Sequence, residues 1–262
     1  INAKQAAAAI HFVHMFFFKF KFKKAFNNLE LKTQIIETII VLGTLFICTA
    51  IYYSQGERIL DWTAEETLAN TSYAFVSCMG GVGLSPFSMA EFYNSFASGR
   101  SILHFWIIIY TIVMFIGGQT NSAAGGLKQY RLGILFKNFY WNTKQKVVGQ
   151  KIIFPHTIVK NGEYVTVEDE EIKSAYEYFI LFTVIFIIGV LIYVSYGYDI
   201  EMSLFEYSSA LSNCGFSLGI TNSNSPGLII WADILGMILG RLEVYPFILT
   251  FLKLFDVKKK NV

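Results

Sequence analysis

The chain has 262 residues, of which 54% are apolar, 17% aromatic and only 15% charged, with a formal net charge of +2 and a mean hydropathy of +0.47. A soluble domain carries about 25% charged residues. This composition lacks the polar surface to cover a water-facing globule, which excludes a soluble enzyme and a nucleic-acid binder. Cys48, Cys78 and Cys214 fall at no spacing that marks a disulfide framework or a zinc site.

In chain order, Ala6 to Phe18 makes about half a membrane span and runs into Lys19, Lys21, Lys23 and Lys24. The chain opens on Ile1 inside an apolar run, so it is expected to be the trailing part, or a fragment, of a longer protein. A secretory signal does not fit, because the charges follow the apolar run. Ile35 to Tyr53 is a full span with one acid, Glu37, near its start. Ile102 to Gly118 is a second, continuing past a glycine-rich patch into Leu127 to Trp141. Phe179 to Tyr196 is a third, without charge, and Gly227 to Leu252 a fourth, containing Asp233, Arg241 and Glu243.

Lysine and arginine collect in residues 1–34, 128–173 and 253–262, whereas the connections 54–100 and 197–226 hold only Arg58 and Arg100. By the positive-inside rule the amino end, the 128–173 loop and the carboxyl end are cytoplasmic. Both outer connections carry a short helical stretch. Ala64 to Ser77 is preceded by Thr63, which makes a capping box with Glu66. It ends at Cys78-Met79-Gly80-Gly81-Val82-Gly83-Leu84-Ser85, and Met202 to Leu211 likewise ends at Ser212-Asn213-Cys214-Gly215-Phe216-Ser217. Gly83 and Gly215 mark a repeat 132 residues long.

Span, short helix, glycine turn, span is the layout of a pore loop. Non-helical backbone at membrane depth is tolerated only where protein or water satisfies it, and a carbonyl-lined ion filter is such a place. The short helix points its partly negative end at the turn, which favours a cation. Neither turn contains Asp or Glu, so coordination would be by carbonyls of Gly81, Val82, Gly83, Leu84 and of Asn213, Cys214, Gly215, Phe216. Two ordinary extracellular turns are the plainer alternative; their repetition favours the pore. Gly117, Gly118, Gln119, Thr120, Asn121, Ser122, Gly125 and Gly126 interrupt the second span with poor helix formers. They read as a flexible gate beneath the filter, or else as a cytoplasmic loop after a span ending at Gly118.

Arg241 lies about 21 Å along the last helix from Gly227. There it needs either a wet cavity or the backbone carbonyls of the Gly117–Gly126 loop. His11 and His14, three apart on a helix, could share a metal but read more readily as a satisfied or interfacial pair, and His104 and His156 lack ligand companions. Cys78 and Cys214 read as small packing residues. Glu168 to Glu171 reads as a solvated face or the start of a helix, and Asp233 has no assigned role beyond a position near the interface. The 25 Phe and 15 Tyr suit lipid contact and interfacial belts.

Together these residues resemble the Trk/Ktr/HKT superfamily of potassium transporters, in particular TrkH-like membrane subunits. The resemblance rests on Met114 to Gly118 followed by Gly125-Gly126-Leu127-Lys128 and Arg131, and on Gly240-Arg241-Leu242-Glu243. Pro155 with Val159-Lys160-Asn161-Gly162, and Ile10 to His14, add to it. The chain departs from the family pattern at Gln119 to Ser122 and in the residues before Gly80.

The resemblance implies an all-α integral membrane fold. It consists of two helix–pore loop–helix repeats, half of a pseudo-fourfold potassium-channel-like pore, preceded by part of another transmembrane helix. The divisions would be residues 1–34 as preceding helix and linker, 35–141 as third repeat, 142–174 as cytoplasmic connection and 175–262 as fourth repeat. It further implies potassium as the transported ion at the filter carbonyls, no cofactor, a homodimer, a missing first half in the same or a separate chain, and a cytoplasmic nucleotide-binding regulatory subunit. A membrane-embedded enzyme would need intramembrane paired acids or a Ser/His pair, and a receptor or scaffold would not need broken helices.

Overall fold

A computed structural model describes residues 28–54, 60, 62–94, 104–120, 122, 124–148, 156–160 and 163–241. The basic run at Lys19 to Lys24, His11, His14, Asn121, Pro155, Asn161, Gly162, Leu242 and Glu243 lie outside them. Helix α1 (Leu29–Ser54) leads to α2 (Ala64–Gly80), the short α3 (Met89–Asn94) and α4 (His104–Ile116). After a break the chain resumes as α5 (Gln129–Val148), passes a hairpin of β1 (Thr157–Lys160) and β2 (Glu163–Thr166), and continues as α6 (Asp169–Ser195), α7 (Ile200–Ser212) and α8 (Gly227–Arg241).

Local chemistry sets the helix ends. Thr63 and Glu66 form the reciprocal capping box, with Thr63 N–H donating to Glu66 Oε2 at 2.8 Å and Glu66 N–H to Thr63 Oγ1 at 3.3 Å. Asp169, Glu170 and Glu171 occupy the first turn of α6, where negative charge meets the positive helix end. Among the described residues, Leu29–Ile51 and Asp169–Ser195 are long and apolar enough to cross a bilayer. Their outer faces, Ile36, Ile39, Ile40 and Ile47 on α1 and Ile180, Ile187, Ile188 and Leu191 on α6, are exposed. That is the arrangement lipid demands. The described part of helix α4 has 13 residues, about 20 Å. The helix ends at Ile116, within the span expected from Ile102 to Gly118, because Gly117 takes a left-handed φ of 72°; Ile102 and Leu103 lie outside the described residues.

Three clusters hold these elements. The first joins α1, α2 and α4 through Leu45, Phe75, Trp106 and Tyr110, and takes in Phe205, Cys214 and Phe216 from the second half of the chain. The second joins α6, α7 and α8 around Phe182, Tyr193, Tyr207 and Ile229. The third packs the hairpin under Leu29, Ile134 and Ile172. Helix α5 continues to Val148, past the edge expected at 141, and the hairpin was not anticipated from the sequence.

Candidate functional site

The two short helices end in the same way. Gly81 (φ 63°) caps α2, its N–H bonded to Cys78 O at 3.1 Å and that of Val82 to Ser77 O at 3.0 Å. Asn213 (φ 56°) caps α7, its N–H bonded to Ala210 O at 3.1 Å and that of Cys214 to Ser209 O at 3.0 Å. Both are Schellman caps, which need a left-handed residue that glycine and asparagine supply most cheaply. Gly83 (φ 71°) and Gly215 (φ 89°) follow in register. The 132-residue repeat is therefore written in the backbone as well as in the sequence.

The two turns adjoin. A Cβ on Gly83 would stand 1.9 Å from Cys214 O, so only glycine allows this approach. Cys78 and Cys214 are both buried in the cluster beside the same contact. One further feature separates the turns. Tyr73, Val76, Val82 and Leu84 are each more than half exposed, whereas their counterparts 132 residues later, Phe205, Ser208, Cys214 and Phe216, are buried against the first half.

Behind the second turn, Glu206 is buried on α7 and accepts from Ser217 Oγ (2.5 Å), Leu218 N–H (2.9 Å) and Thr221 N–H (3.1 Å). Asp233 on α8 is buried too, and takes Tyr193 O–H and Thr221 O–H, the latter at 3.0 Å. Between them lies a cavity of about 340 Å³ that also reaches Asn213, Gly215 and Met237. Glu206 thus braces the loop that follows the turn. Glu206→Ala would leave two backbone N–H groups and a hydroxyl without an acceptor, at about 1–3 kcal/mol each. The purified variant should lose several degrees of thermal stability in detergent, with Glu206→Gln intermediate.

The break between α4 and α5 is a closed excursion. Leu127 N–H returns to Phe115 O (3.0 Å), Lys128 N–H to Ile116 O (2.9 Å) and Gln129 N–H to Gly118 O (3.1 Å). Gly117 and Gly126, both left-handed, stand back to back, where a Cβ on either would strike the other strand. The loop touches the ends of both short helices. Gly125 N–H donates to Ser212 O at 2.7 Å, and Gly81 packs on Ala124. Lys128 is buried, with its ammonium donating to the Ala124 and Ser122 carbonyls.

A second support was not foreseen. Helix α1 turns one face to the loop: Glu30 Oε1 accepts from Thr120 N–H, Gln34 Oε1 from the Gln119 amide and Glu37 Oε2 from the Gln129 amide. The i, i+4, i+7 spacing of three polar residues on an apolar helix was the available signal. Arg241 stands exposed in the last turn of α8, directly after Gly240, whose Cα is pressed on Leu211 O. Gly118 approaches the equivalent carbonyl, Met79 O, so the second helices of the two units correspond with an offset of 122. His156 stacks on Trp141 at 4.6 Å, which accounts for it without a metal.

Residues 95–261 match the family model described as TrkH, cation transport protein. Over 234 residues, 88% of this chain and 43% of the relative, the chain is 26% identical to an uncharacterized cation transporter of Methanocaldococcus jannaschii. It is 31% identical to the Trk system potassium uptake protein TrkG of Escherichia coli over 151 residues, 55% of this chain and 30% of that protein. The crystal structure of the potassium transporter TrkH from Vibrio parahaemolyticus superimposes with a TM-score of 0.66 at 18% identity, covering 85% of this chain and 44% of the other. The chain spans less than half the length of these relatives. It is a member of the TrkH family of cation transport proteins, a transporter family and not one of enzymes.

Proposed function

We propose that the chain supplies two adjacent units of a monovalent-cation pore that takes up potassium across the cell membrane. Units 35–141 and 175–262 each contribute one filter strand, residues 1–34 are the end of a preceding transmembrane helix and a cytoplasmic linker, and residues 142–174 are the cytoplasmic connection. The observation that carries this reading is the pair of short helices with the same capped ends, pointed at adjoining turns above one loop. Their partly negative ends favour a dehydrating cation. Carbonyls of Gly81 to Leu84 and Asn213 to Phe216 replace its water.

The 117–128 loop, seated under both turns, is the gate. The names of the Escherichia coli relatives, which specify potassium uptake, support potassium as the cargo. The face formed by Tyr73, Val76, Val82 and Leu84 supports a further half of the pore, because its counterpart is buried by a neighbouring unit. A homodimer and a cytoplasmic nucleotide-binding subunit complete the assembly, with both chain ends and the 128–173 loop on the cytoplasmic side. Rubidium uptake into proteoliposomes by the full-length protein tests the reading, and absence of uptake by folded protein rejects it.

Arg241 belongs to the path below the filter, where a fixed positive charge slows cations. Arg241→Ala is expected to raise rubidium flux severalfold at equal expression. Unchanged or lower flux would remove it from the path.

A further inference from the structure

One contact in the grip of α1 on the loop is incomplete. The Gln129 amide nitrogen donates both to Glu37 Oε2 and, at 3.1 Å, to Gly117 O. The remaining oxygens of the pair, Glu37 Oε1 and Gln129 Oε1, are buried and have no hydrogen-bond partner among the described residues. Gln129 as a whole is fully enclosed. Turning its amide over makes matters worse, since its oxygen would then face two acceptors. A buried acceptor without a donor is costly, and a bare carboxylate at membrane depth more so.

A single proton removes both defects. A carboxylic acid and a carboxamide can pair as a ring, with amide N–H donating to one acid oxygen and acid O–H donating to the amide oxygen. An alkali ion would need a fuller shell of oxygens than the two on offer.

We propose that Glu37 is a proton-binding site, and that its proton closes an acid–amide ring with Gln129 that clasps the loop to α1. The proton comes from water and returns to it, and no other bond changes. The charged groups on surrounding elements are Glu30 and Lys32 on α1, Lys128 in the loop, Arg131 and Lys137 on α5 with Lys144 and Lys146 at its far end, and Lys160 on β1. Glu65 and Glu66 lie at the far end of α2, whose near end meets Thr38 through Met79. Because Gln129 also holds Gly117, where α4 gives way to the loop, protonation at Glu37 is felt at the loop's hinge. In acid the clasp is shut. As pH rises and the proton leaves, Glu37 Oε1 and Gln129 Oε1 are again without a donor and the clasp loosens.

This rests on the reading of the loop as a gate, so the test has one arm independent of transport. Infrared difference spectra of the full-length protein across a pH titration should show a protonated-carboxyl band that Glu37→Gln removes. Rubidium flux should rise from acid to alkaline pH by roughly tenfold, the ratio that a bias of about 1.4 kcal/mol produces. Glu37→Gln preserves both ring bonds and should hold flux at the acid level at every pH. Gln129→Leu removes the ring and should hold it at the alkaline level. A merely structural role would move both variants the same way. An unchanged infrared band in Glu37→Gln overturns the site, as does a sodium dependence at fixed pH that only Glu37→Gln loses. A band that titrates as expected while neither variant alters flux rejects the clasp and the gate reading but keeps the proton site.

Discussion

Gly83→Ser is expected to abolish most discrimination between potassium and sodium, with Gly215→Ser doing so less. Both glycines hold left-handed dihedrals, which cost a side-chain-bearing residue roughly 1–2 kcal/mol. At Gly215 that is the whole penalty, because an added Cβ meets open space. At Gly83 the Cβ would lie 1.9 Å from Cys214 O, so the carbonyl of the second turn must also move. A displaced carbonyl no longer matches the ion it was placed for. The measurement is sodium competition against rubidium uptake by the full-length protein, where a fall of about tenfold for Gly83→Ser corresponds to about 1.4 kcal/mol. Wild-type selectivity in a folded Gly83→Ser protein would refute the filter assignment.

Deleting Thr120 to Ala123 should make uptake largely independent of the regulatory subunit. The deletion removes the N–H that Glu30 accepts and one of the two carbonyls that hold the Lys128 ammonium. It leaves Gly117, Gly126 and their returning hydrogen bonds, so the ends of α4 and α5 stay together. Unregulated flux is then expected to approach the regulated maximum. A folded deletion variant that stays fully regulated would place the gate elsewhere.

Much of this architecture is local and so was legible. The Thr63–Glu66 cap, the glycine turns and the acidic start of α6 each depend on residues a few positions apart. The repeat is legible because each short helix runs into a glycine turn, with Gly83 and Gly215 at the same place in both. The hairpin at 157–166 was missed although Asn161-Gly162, a familiar turn signal, stands between two short β-prone runs. The hydrophobic spans on either side outweighed it. What was not legible is the grip of α1 on the loop, since its partners lie 85 to 92 residues apart. Nor does a lone Glu206 in a short helix announce the three donors that gather on it. Asp233 was left without a role for the same reason: Tyr193 and Thr221 reach it only after folding.

The unequal burial of the two units has a consequence for assembly. Trp106, Ile109 and Val113 on α4 are buried, α4 being packed against α7 of the next unit, whereas their equivalents on α8, Leu228, Trp231 and Leu235, are each more than half exposed. The contact between units is thus heterologous, a tail on one meeting a head on the next, and such contacts extend until rotation brings the last tail to the first head. In the proposed pore two units stop short of that closure, and among the described residues an apolar head at Tyr73, Val76, Val82 and Leu84 and a tail on α8 are left exposed. These ends are complementary in kind. Made without the further units of the proposed pore, the segment is expected to join end to end into open chains.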